Sequence, residues 1–143
     1  MWQGHHMRPG RSPGSARSMD LFARPEHLVV ARLPCDAPWP EPPADGSLYS
    51  ATRIDDELSL VCGEGSAPDA ARIEPGWRAL SVAGPLDFSL IGVLAPLTFQ
   101  LADAGISVFV LSTFDTDHVL VRTADFDQAV SVLRSGGHSI RIE

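Results

Sequence analysis

The hydrophobic pattern along the chain switches between the two-residue period of strands and the longer period of helices. The run LVVARL at Leu28–Leu33 predicts a buried strand, closed by Pro34, which lacks the N–H that a ladder needs. Residues 37–46 (APWPEPPADG) are too rich in proline for a long helix, and they predict a loop in which Trp39 covers a gap in the core. Residues 48–54 and 57–62 are β-rich segments flanking Asp55 and Asp56, whose turn chemistry predicts an antiparallel hairpin. A second polar loop over 63–76, holding Pro68 and Pro75, leads to a strand with alternating faces at 77–82 (WRALSV).

Leu90, Leu94, Leu97 and Leu101 recur at spacings of four, three and four, which predicts a helix with Asp87 as N-cap and Gly105 as its left-handed terminator. Pro96 falls inside that helix and predicts a kink, because it removes one hydrogen bond and crowds the carbonyl of Gly92. The continuous apolar run at 106–111 (ISVFVL) predicts a central strand, with 119–122 as its hairpin partner across residues 115–118. A second helix is predicted over Phe126–Ser135, with Phe126, Ala129, Val130 and Leu133 on one face. Asp125 and Gln128 have the spacing of a capping box, Gly136 and Gly137 end the helix, and residues 138–142 (HSIRI) form a last strand.

Residues 77–143 therefore read β-α-β-β-α-β, an α+β ferredoxin-like order that buries one face of an antiparallel sheet under two helices. Residues 28–76 supply three strands and no long helix, as in a shortened copy of the same unit. The expected division is a shortened unit over 19–76 and a complete one over 77–143. Residues 1–18 carry Arg8, Arg11 and Arg17, five Gly or Pro and no acid, and are expected to be a disordered extension, with Met19 as a natural start. His5 and His6 lie within that segment with no second pair to complete a metal site.

Composition narrows the chemistry. A hydrophobic content of 44% in 143 residues suits one compact domain or two small ones sharing a core. A net charge of −7 leaves no excess of positive charge for a phosphate backbone or an anionic membrane, so neither nucleic acid nor membrane is an expected partner. No apolar run approaches the roughly 20 residues of a membrane span, and the chain is expected in the cytoplasm, where Cys35 and Cys62 would pack as small hydrophobes. The chain has no lysine, which removes Schiff-base chemistry, the P-loop lysine and a Ser–Lys dyad by inventory. GEGSAP at 63–68 is not a GxSxG elbow, so a hydrolase triad has no motif to stand on. Asp115, Asp117 and His118 lie close together, but alternation turns the histidine away from the two acids, and no metal or other cofactor is expected.

Three stretches carry a resemblance: DDELSLVC at 55–62, VAGPLDFSLIGVLA at 82–95 and LADAGISVFVLSTFDTDHVLV at 101–121. Together they resemble the small tandem ACT-domain proteins, whose distant relatives include animal cytosolic arginine sensors. The resemblance implies tandem ferredoxin-like ACT units, no catalysis, an amino acid bound between two units, and a homodimer.

An amino acid needs donors for its carboxylate and acceptors for its ammonium group. The predicted helix start offers unpaired backbone N–H groups at Phe88, Ser89 and Leu90. Asp87 either caps that helix or turns outward to hold the ammonium. Asp115 and Asp117, with the hydroxyls of Ser112 and Thr113, and Asp55, Asp56 and Glu57 from the first unit would face one another across a unit interface as an electronegative pocket suited to an amino group or a cationic side chain. The resemblance to arginine sensors makes arginine the first ligand expected. The expected function is an amino-acid-binding regulatory module. The alternative is a protein–protein interaction module with a vestigial ligand site, since ferredoxin-like sheets expose edges that can pair with another chain.

Overall fold

The computed structural model describes residues 18–69, 72–83, 92 and 94–143. These form β1 (Asp20–Ala23), β2 (Leu28–Leu33), β3 (Ser50–Ile54), β4 (Glu57–Gly63), β5 (Arg72–Val82), α1 (Leu94–Asp103), β6 (Val108–Ser112), β7 (Asp117–Arg122), α2 (Phe126–Ser135) and β8 (Ser139–Ile142). From β5 onward the order is βαββαβ, and the architecture is α+β. All eight strands join one sheet. β5 pairs with β2 through its first half, with β1 through its second half, and with β7 along its other edge. The β3–β4 hairpin extends the sheet beyond β2, and β6 closes it beyond β7.

Several expectations are corrected. The sheet is mixed rather than antiparallel throughout. β1, a strand the hydrophobic pattern does not announce, wedges between β5 and β8 and runs antiparallel to β5. Because β8 is also antiparallel to β5 in this order, β1 and β8 must run parallel. β5 begins five residues earlier than alternation suggests, so Pro75 and Gly76 lie within a strand instead of a loop. The register against β2 shifts between Leu28 and Val30, and Gly76 takes a φ of 84° there, so a β-bulge absorbs both residues. β6 is an edge strand rather than a central one, pairing among the described residues with β7 alone.

Both helices cover one face of the sheet. Leu97 and Leu101 of α1 and Phe126, Ala129, Val130 and Leu133 of α2 meet Leu21 and Ala23, Leu80 and Val82, Val119 and Val121, and Ile140 from four strands. Gly92 has a φ of 77°, outside the helical range, so α1 starts after it and Pro96 falls in the first turn. Its missing N–H would be unpaired there anyway, and the expected kink has no cause. Gly105 terminates the helix at φ 78°, as its sequence position suggests. The Asp125–Gln128 capping box does not form: Asp125 makes no side-chain cap bond, and a 3₁₀ turn over Thr123–Asp125 leads into α2 instead. No helix among the described residues is long and apolar enough to cross a membrane.

The first half has its own core. Val29, Ala31, Leu33, Leu58, Leu60 and Cys62 pack beneath the proline-rich loop, against Ala37 and Tyr49. Arg53 fastens that loop by donating to the carbonyls of Cys35 and Ala37, and the Tyr49 hydroxyl donates to the Pro40 carbonyl at 2.8 Å. Trp39 does not fill the core. It is 59% exposed and lies under the Arg53 guanidinium, 4.6 Å from its ring centre. Both cysteines are free, and burial pushes the Cys62 thiol up.

β1 is anchored through histidine chemistry. The Met19 N–H donates to His138 Nδ1 at 3.0 Å, which requires a neutral ring with its proton on the buried Nε2. Burial holds His138 below the ordinary imidazole value of 6.5 and does the same to His118, where Arg24 adds to the effect and Asp117 opposes it.

Two outcomes follow from this packing. Leu97→Ala should cost about 2–5 kcal/mol in urea unfolding, because a fully buried side chain leaves a cavity. The unfolded chain takes up protons below about pH 6.5 while the folded chain resists them, so stability is complete above that value and declines below it. Glu26, whose carboxyl the Leu48 amide and Arg24 hold below its ordinary 4.5 against the opposing effect of burial, titrates lower still. Urea midpoints should therefore fall from pH 6.5 toward about pH 5, and His138→Gln should flatten that slope. A midpoint independent of pH in this window would remove the neutral-histidine anchor.

Candidate functional site

The β6–β7 hairpin folds its turn against the C-terminal end of β5. Thr116 Oγ1 donates to the Val82 carbonyl at 2.6 Å, and the Thr113 N–H donates to the Thr116 carbonyl at 2.8 Å. Ser112 Oγ donates to Asp117 Oδ1 at 2.6 Å across the same hairpin. One turn therefore gathers Ser112, Thr113, Asp115 and Asp117, and all but the half-buried Asp117 are open to solvent. The chain leaves β5 beside this turn and enters residues 84–91. Asp87, Phe88, Ser89 and Leu90 lie in that stretch, outside the described residues.

Asp56 and Glu57 are elsewhere. They close the β3–β4 hairpin at the end of the sheet where β5 begins. Glu57 pairs with Arg32 at 3.1 Å, and Arg32 also donates to the Asp56 carbonyl at 2.9 Å. At about 3.3 Å per residue, the length of β5 puts roughly 30 Å between this turn and the Thr113–Asp117 turn. The two groups of acids do not share a cleft within one chain.

The sheet face opposite the helices carries a polar pair that sequence reasoning did not bring together. Ser81 and His118 are register partners on β5 and β7, and Ser81 Oγ shares a 2.7 Å hydrogen bond with His118 Nδ1. This pairs a hydroxyl with a base, but Ser81 is 1% exposed, so a substrate carbonyl has no approach to it. On the same face Phe22 lies between Arg24 and Arg141, with guanidinium carbons 5.8 and 5.6 Å from its ring centre. The alternation of WRALSV already places Ser81 with Trp77 and Ala79 on one face, a signal that could have found it. Among the described residues no cluster of three or more His, Cys, Asp or Glu could hold a metal ion.

Comparison with known proteins agrees with this architecture. A model of the ACT domain matches residues 72–135, from the start of β5 to the end of α2. A stretch of 59 residues is 37% identical to the human cytosolic arginine sensor for mTORC1 subunit 1, covering 41% of this chain and only 18% of that protein. The fold is similar to that of protein Atu0741 from Agobacterium tumefaciens, with a TM-score of 0.82 and 36% identity over 90% of this chain and 96% of that one. A fold-level likeness extends to aspartate kinase from Clostridium acetobutylicum, described as an allosteric enzyme, at a TM-score of 0.57 and 14% identity over 84% of this chain and 35% of the kinase. The chain carries an ACT domain over residues 72–135 and is distantly related to the cytosolic arginine sensors.

Proposed function

We propose that this chain is a non-catalytic regulatory module that binds an amino acid at the C-terminal end of β5. The observation that supports it most is the bond from Thr116 to the Val82 carbonyl, which holds the Ser112–Asp117 turn beside the point where the chain enters residues 84–91. In this reading Asp115 and Asp117 attract an ammonium or guanidinium group, Ser112 and Thr113 contribute hydroxyls, and backbone N–H groups near Phe88 receive the carboxylate. Asp87 either caps or contributes a carboxylate. Arginine is the first ligand to try, on the strength of these acids and of the kinship with a protein named as an arginine sensor.

The β2–β4 portion is read as a shortened second ACT unit, and the chain as a cytoplasmic homodimer. Asp56 and Glu57 belong to the ligand site only if a second copy brings them to it. A second reading, a protein–protein interaction module, draws support from β6: it is an edge strand, and Val110 on it is exposed.

Thermal unfolding with each of the twenty amino acids tests the proposal. At a hundred times its dissociation constant, a true ligand should raise the melting temperature by about 5 °C or more. Asp117→Arg should weaken arginine binding about tenfold or more, by replacing attraction with repulsion. A flat response from folded protein across all twenty, together with ligand-independent dimers in light scattering, favours the interaction module instead.

A further inference from the structure

A groove of about 440 Å³ opens at the other end of β5, on the sheet face away from the helices. Val30, Ile73 and Phe109 contribute apolar lining, and Glu57 and Glu74 line it alongside the two arginines. Phe109 is held edge-on against Trp77, with ring centres 6.1 Å apart. The charged part has an unusual register: Arg32 of β2 and Arg72 of β5 are direct cross-strand partners and so project from the same face. Ser59 is the partner of Arg32 on β4, and Thr52 is the partner of Ser59 on β3. Hydroxyls and guanidiniums thus form one continuous row, Thr52–Ser59–Arg32–Arg72, across four strands.

Like charges directly opposite one another in a sheet repel. Glu57 neutralises Arg32 at 3.1 Å, but Arg72 has no acidic partner among the described residues, and Glu74 is turned to Arg122 at 3.5 Å. A chain with a net charge of −7 therefore keeps an uncompensated cation beside a second arginine, a serine hydroxyl and an aromatic wall. An anion at the Arg72 guanidinium would supply the charge partner that Glu57 already gives Arg32, and arginine suits planar, two-point binding of carboxylate or phosphate. The volume is within the range of small-molecule sites.

The geometry points to a second ligand site in this groove, for a small organic anion whose carboxylate or phosphate lies between Arg32 and Arg72 and whose apolar body rests on Val30 and Phe109. It is separate from the amino-acid site proposed above, at the far end of the same strand, so either can be occupied while the other is empty.

Calorimetric titration of the full chain with phenyl phosphate, phenylacetate and inorganic phosphate tests this. At least one phenyl compound should bind saturably and more tightly than inorganic phosphate, and the better of the two identifies the head group. Arg72→Gln should weaken that binding about tenfold or more, as expected for loss of a charged hydrogen-bond donor, whereas Arg141→Gln, a charge loss at the opposite edge of the sheet, should leave it unchanged. Phe109→Ala should erase the preference for the phenyl compound while circular dichroism confirms an intact fold. No saturable binding at millimolar probe, equal binding of inorganic phosphate, or equal weakening by Arg72→Gln and Arg141→Gln would each overturn the assignment.

Discussion

The eleven residues of β5 are the constraint on which the rest of the molecule depends. A strand of ordinary length could serve one half of this sheet. Arg72–Val82 is long enough to pair with β2 at one end and β1 at the other, while β7 lines its far edge. The bulge at Pro75 and Gly76 lets the strand change direction between these neighbours without breaking, and it takes up a proline that could not donate to a regular ladder. Both ends of this strand then become places where turns and charged side chains collect. The Thr113–Asp117 turn lies at one end and the Arg32–Arg72 pair at the other, and their separation follows from the strand's length.

The two faces of the sheet are finished by different means. One is sealed by α1 and α2 over a continuous apolar cluster. On the other, arginines lie over aromatic rings: Arg122 over Trp77, and Arg24 and Arg141 on Phe22. Stacked guanidiniums cover apolar area while keeping their charge in water, a role that fits a chain with arginine as its sole strongly basic side chain. This face stays partly open, and the groove beside Phe109 and the buried Ser81–His118 pair both belong to it.

Much of the fold was legible because helical and strand periods are local. Leu97 and Leu101, and the Phe126 to Leu133 face, stand where their spacing puts them. What escaped was non-local. β1 is four residues with no extended pattern, and it becomes a strand because Ser139 and Ile142 lie beside Asp20 and Ala23, more than a hundred residues away in sequence. β6 looked central because it is apolar on both faces: Val108 packs under the helices, and Phe109 and Leu111 on the opposite face, although its outer edge is unpaired among the described residues. The acids of the Thr113–Asp117 turn were legible as a group for the same local reason. Nothing in the sequence tells at which end of a sheet a turn will lie, so the distance from Asp56 and Glu57 could not be read, nor could the pairing of Arg32 with Arg72 across forty residues.

The claim at the centre of this account is that the end of β5 and the turn beside it form the amino-acid site. Amide chemical-shift mapping of the unaltered chain during an arginine titration tests it most directly. The account predicts saturable shifts gathered at Val82, Ala83 and residues 112–118, with the β3–β4 hairpin unmoved. Saturable shifts centred on any other surface, with these amides unchanged, would contradict it.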